Sequence, residues 1–158
     1  MEYQKKWEDM LIMNYELKEN ILAAKDFIKL RDSAGWGAAP PEHQIEEALK
    51  NSLVTISAVF EGRIIGMGRL VGDGMSICYV QEMIIYPEYQ GKGIGKAIMD
   101  KLISYIIKNG FTNTYVTVGL FSAKGKEGFY SKLGFVERPN EKRGAGMELI
   151  LKVGDRDD

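Results

Sequence analysis

Between residues 86 and 96 the chain reads Tyr86-Pro87-Glu88-Tyr89-Gln90-Gly91-Lys92-Gly93-Ile94-Gly95-Lys96, with glycine at alternate positions and lysine between and after them. Glycine lacks the Cβ that holds a ligand away from the backbone. At the entry of a helix such a stretch offers several unpaired N–H groups at the positive end of the helix dipole. That arrangement suits an anion, a pyrophosphate in particular, and Lys92 and Lys96 add positive charge beside it. Two other phosphate loops fail on spacing. A dinucleotide fingerprint requires G-x-G-x-x-G early in a parallel βαβ unit, whereas these glycines run G-x-G-x-G. A nucleotide-triphosphatase loop requires G-x-x-x-x-G-K-[ST], and here Lys96 is followed by Ala97.

A second reactive group lies just upstream. Glu82 is a carboxylate in an otherwise apolar strand, followed by Met83-Ile84-Ile85, and a carboxylate so placed is a candidate to take the proton of an attacking ammonium. The alternative is a solvent-facing or salt-bridged strand residue. Other catalytic groups are scarce. The single histidine, His43, and the single cysteine, Cys78, argue against a His-rich zinc site, a thiolate cluster, an intramolecular disulfide or a Ser/Cys–His nucleophile, so no metal is expected. One cysteine fits a reducing cytoplasm. Twenty-one Lys+Arg against 22 Asp+Glu leave a net charge of -1, which supplies no global field toward nucleic acid or an anionic membrane. The start of the chain lacks the apolar core of a signal peptide, and no run approaches the ~18 apolar residues of a membrane span.

The elements that must hold these residues follow from periodicity. With 158 residues the chain is expected to be a single domain, 1–158, folding alone or as a small oligomer such as a homodimer. Met10 to Leu17 reads as a strand, Ala23 to Ala34 as an amphipathic helix, and Pro40-Pro41 opens a second helix through Leu49. Leu53 to Phe60 and Arg63 to Val71 form a hairpin about Glu61-Gly62. Ser76 to Ile85 is a further strand, stopped by Pro87. Apolar residues from Ile94 to Lys108 fall at helical spacing, with Gly110 closing the helix. Tyr115 to Leu120 is β-branched, Glu127 to Leu133 is a short helix, and Phe135 to Glu137 and Met147 to Val153 are expected to be strands. The order gives an α+β fold with a mostly antiparallel sheet and helices on both faces.

Two segments together carry a family resemblance. Gln90-Gly91-Lys92-Gly93-Ile94-Gly95 resembles the [QR]-x-x-G-x-[GA] acetyl-CoA signature of the GNAT superfamily of N-acetyltransferases, and Phe129-Tyr130-Ser131-Lys132-Leu133-Gly134-Phe135 is similar to the F-Y-x-K-L-G-F segment near the end of those proteins. The resemblance spans roughly Leu53 to Val153. It implies a GNAT-like twisted mixed sheet whose two central strands, Ser76 to Ile85 and Tyr115 to Leu120, splay apart. It also implies acetyl-CoA as co-substrate, with its pyrophosphate on Gln90 to Lys96 and its pantetheine arm along the backbone of Met83, Ile84 and Ile85. The N–H of Ile85 would polarise the thioester carbonyl, and Tyr130 would protonate the departing thiolate. The family's pantetheine-contacting asparagine is replaced by Ala123, so Ser122 or backbone would substitute. Lys126, with Lys124, is either a CoA phosphate contact or part of a solvated charge run. Trp36 borders the region where the family takes its acceptor, a primary amine of a small molecule, amino acid or peptide. The alternative function is a catalytically silent acyl-CoA-binding sensor of the same fold.

Overall fold

The computed structural model describes residues 13–154, which fall into two compact units, one through Leu120 and one from Phe121. The first unit is a five-stranded sheet in the order β1-β2-β3-β4-β5, with β1 Glu16–Glu19, β2 Val54–Phe60, β3 Arg63–Gly72, β4 Ile77–Ile85 and β5 Thr117–Leu120. Each of the first three strands pairs antiparallel with the next, while β4 and β5 are parallel. Helices α1 (Ala24–Ser33), α2 (Glu42–Lys50) and α3 (Ile94–Asn109) complete the unit.

The expected hairpin forms as read, because Glu61 and Gly62 both take positive φ, 50° and 74°, the pair of conformations whose twist matches antiparallel strands. Phe27 and Leu30 of α1 and Ile45 of α2 pack in one cluster with Met67 and Ile84, on one face of the sheet. On the opposite face α3 buries Ile94, Ile98, Met99, Leu102 and Ile106, each worth about 1.5–3 kcal/mol when withdrawn from water. Gly66 and Gly68 admit this helix: a Cβ on Gly68 would lie 2.7 Å from Ile98 Cγ2 and 3.2 Å from Leu102 Cδ1. Helices therefore cover both faces, as expected.

Two irregularities shape the centre of the sheet. Met67 pairs with Ile84 but Arg69 pairs with Gln81, so Glu82 and Met83 stand together opposite Gly68 as a β-bulge. Glu82 takes φ 46° there. Secondly, β5 pairs only with Ile77 through Val80, and β4 runs on to Ile85 beyond it. That leaves about 16 Å of β4 past the end of the parallel ladder, the splay implied by the resemblance.

Some expectations need correction. The first strand lies at Glu16–Glu19, later than Met10 to Leu17, of which residues 10–12 lie outside the described residues. Its place is set by pairing with β2, Glu16 opposite Val59 through Glu19 opposite Ile56, and Asn20 ends it by exchanging bonds with Thr55. Neither Phe135 to Glu137 nor Met147 to Val153 forms a strand. Alternation along Met147, Leu149, Leu151 and Val153 marks a strand-competent stretch, yet a strand exists only by pairing its N–H and C=O groups, and the unit from Phe121 contains no strand among its described residues. That unit has one helix, α4 (Glu127–Lys132), ended by Leu133 and by Gly134 at φ 94°.

Candidate acyl-CoA site

The glycine loop is positioned from both sides. Tyr86 closes the sheet with its N–H on Ile65 O at 3.0 Å, and Pro87–Tyr89 forms a single 3₁₀ turn. Arg63 lies 4.9 Å over the Tyr86 ring and Phe60 meets Tyr89 edge-on at 6.0 Å, so the pair flanking the turn of the β2–β3 hairpin holds the 3₁₀ turn. Gln90 folds back and donates from Nε2 to Ile85 O at 3.0 Å. Gly91 and Gly93 then take φ 72° and 81°, and α3 begins at Ile94 with Gly93 as its N-cap and no side-chain cap. The first amide to bond inside the helix is that of Ala97, to Gly93 O at 3.0 Å. The N–H groups of Ile94, Gly95 and Lys96 therefore have no acceptor within the helix, and with no acidic residue in the first turn the terminus keeps its positive field for a ligand.

The residue-level placement differs in instructive ways. Ile94 is 1% exposed; its side chain anchors the helix, and only its backbone N–H faces the loop. Lys96 is exposed and paired with Asp100 at 2.6 Å, so part of its charge is already answered, while Lys92 stands exposed between the two left-handed glycines.

On β4 the hydrogen-bond alternation assigns direction. Since Tyr86 bonds Ile65, the neighbouring Gly66/Ile85 pair is the non-bonded one. Ile85 therefore turns its N–H and C=O away from β3, toward the side vacated by β5, in agreement with the bond its C=O accepts from Gln90. Ile84 is the reverse case: it is buried in the α1/α2 cluster and its backbone belongs to the β3 ladder. Met83 points to the other face, its Cε near Gly68.

Glu82 is the salt-bridged residue that one sequence reading allowed. Arg69 Nε donates to Oε2 at 2.7 Å and Nη2 to Oε1 at 3.3 Å, with both side chains 12% exposed. Arg69 was not singled out from sequence. The available signal was a cation in one apolar strand facing a carboxylate in the next, across the Gly72-Asp73-Gly74 turn.

In the second unit Tyr130 sits on α4, edge-on to Phe129 at 5.0 Å and to Phe135 at 6.0 Å. Burial against these rings raises its phenol above the ordinary value of 10, which keeps the proton on the oxygen through neutral pH. Ser122 Oγ donates to Ala123 O at 2.9 Å. Lys124 and Lys126 are exposed. Trp36, 41% exposed, lies under Arg31, whose Cζ is 5.9 Å from the ring centre. Among the described residues no group of three His, Cys, Asp or Glu side chains can hold a metal, and no helix is long and apolar enough to cross a membrane.

A chain with this sheet, an uncapped helix behind a glycine loop and a turned-out β4 backbone has close counterparts. An uncharacterized N-acetyltransferase of Porphyra purpurea is 31% identical over 120 residues, covering 73% of this chain and 66% of that protein. The chloroplastic GCN5-related N-acetyltransferase 1 of Arabidopsis thaliana is 30% identical over 142 residues, covering 89% and 64%. The chain thus spans just under two thirds of the length of these curated relatives. The solved structure of a GNAT-family acetyltransferase from Streptococcus pneumoniae superposes with a TM-score of 0.72 at 30% identity, covering 88% of this chain and 99% of that one. The sequence profile of the GNAT acetyltransferase domain matches residues 30–151, and the chain belongs to that family.

Proposed function

We propose that the protein transfers the acetyl group of acetyl-CoA to a primary amine of a small molecule, amino acid or peptide, by direct attack, in a reducing compartment such as the cytoplasm. The observation that carries this reading is the pairing of two backbone features on one sheet: free N–H groups at the start of α3 and an Ile85 N–H turned into the gap beyond β5. The first suits the pyrophosphate, the second a carbonyl oxygen gaining negative charge. Acetyl-CoA supplies the acetyl group already activated as a thioester.

In this mechanism the amine nitrogen forms the new C–N bond as the C–S bond breaks. Glu82 takes the amine proton through one water, using carboxylate lone pairs not engaged by Arg69. Tyr130 gives its phenolic proton to the departing sulfur and recovers one from solvent, so the products are an amide and free CoA thiol. Cys78 takes no part: it is 1% exposed, its thiol is pushed up by burial and then by the charge of Asp73, and a nucleophilic cysteine requires the opposite shift.

Calorimetric titration with CoA and acetyl-CoA, followed by thiol release across an amine panel, tests the proposal. Binding with amine-dependent release is expected. Binding without release for any amine would favour an acyl-CoA sensor, and stabilisation only by alcohols or thiols would overturn the amine assignment.

A further inference from the structure

Glu82 occupies a backbone conformation that a bulge of this kind normally gives to glycine. At φ 46° it is, among the described residues, the non-glycine in the left-handed region inside a strand; Asn20, Glu61 and Asn113 take it in turns or connections. Left-handed backbone disfavours any residue with a Cβ, so something must hold Glu82 there. Arg69 grips both carboxylate oxygens. The far side of the same guanidinium is anchored as well: Nη1 donates at 3.3 Å to Ala48 O and to Ser52 Oγ, and Ser52 Oγ itself donates to Ala48 O at 2.8 Å. Ala48 lies in the last turn of α2, at the negative end of its dipole, where a cation is favoured.

We infer that Arg69 is a positioning residue for the acyl-transfer site: by clamping Glu82 to the end of α2 it holds the β4 bulge in its left-handed turn and so fixes the direction in which Met83 to Ile85 present their backbone. This rests on the reading that acetyl-CoA lies along β4. Because one fork holds both the strained residue and the helix end, the clamp also ties the α1/α2 side of the sheet to the strand that would meet the thioester.

The test separates backbone direction from carboxylate chemistry. Arg69→Met/Glu82→Gly and Arg69→Met/Glu82→Ala both remove the clamp and the carboxylate, and they differ in whether residue 82 adopts positive φ freely. The glycine double variant is expected to release CoA thiol about fivefold or more faster than the alanine one, with the amide resonance of Ile85 returned toward its wild-type position. Equal rates and equal Ile85 shifts in the two would overturn the inference. Arg69→Lys keeps charge but not the fork, and serves if the methionine variants do not fold: kcat about fivefold down with CoA affinity within about twofold supports the clamp, and unchanged kcat overturns it. The Ile85 resonance reads the clamp without turnover. If wild-type protein binds no CoA, the proposed function falls, and the amide shifts still decide the role of Arg69.

Discussion

Tyr130 and the loop glycines show how far a residue type predicts its use. A phenol raised by burial stays protonated across the working range, so the alkaline limb of kcat is expected above pH ~10. Tyr130→Phe keeps the ring and removes the proton, and kcat should fall by about 10²–10³ while CoA affinity is unchanged; equal turnover in the variant excludes the phenol as acid. The glycines were read from sequence as an anion loop for want of a Cβ, and the structure gives them a different physical requirement. No atom lies within 4 Å of a Cβ built on Gly91 or Gly93; what those positions require is positive φ. Asparagine tolerates that conformation and a β-branched residue does not. Gly93→Asn should therefore retain CoA affinity within a few-fold, and Gly93→Val should lose at least about tenfold. If titration finds both variants equal, the left-handed turn is not what builds the loop. Arg69 was invisible at this level, because a lone arginine in an apolar strand acquires meaning only when pairing places a carboxylate beside it.

Periodicity gave hairpin, central strands and long helix nearly to the residue, since each of those segments records its own burial: Ile94, Ile98, Leu102 and Ile106 face one way because one side of α3 is buried. It misplaced the first strand and overcalled the segments after Phe135, where the deciding quantity is the presence of a partner edge. Tight packing makes the same elements sensitive. Gly68→Ala drives a methyl against Ile98 and Leu102, and overpacking of this kind costs about 1–3 kcal/mol, so calorimetry should show a lower Tm; an unchanged Tm would mean that α3 yields readily. The β3–β4 turn carries its own acid sensitivity. Asp73 accepts backbone N–H bonds from Ile77, Ser76 and Met75 and a bond from the Ser76 hydroxyl, which together hold its carboxyl well below the usual range, the Ile77 amide foremost. Its contribution is complete above the unfolded value near 4 and declines as pH falls further. The Tm difference between wild type and Asp73→Ala should accordingly be full at pH 6 and narrow below pH ~4, a comparison that constant differences would refute.

For the protein as a whole, a net charge of -1 supplies no global field, so on the proposed reading CoA is drawn by the α3 N-terminus and a few local lysines. Salt should therefore weaken CoA binding only modestly between 50 and 500 mM, and a saturating ligand at about 100 times its Kd should add about 2.7 kcal/mol to stability. A Tm indifferent to CoA would remove the site. Cys78 lies in the β4–β5 seam, opposite Gly72 on one side and Val118 on the other, and it is the single thiol in the chain. With no second thiol to confuse the signal, its rate of reaction with a disulfide reagent becomes a native clock for the opening of that seam. Measured against reagent concentration, the rate passes from one limited by chemistry to one limited by opening. A ligand that wedges the strands and one that staples them would change that plateau in opposite directions, without any label having to be engineered.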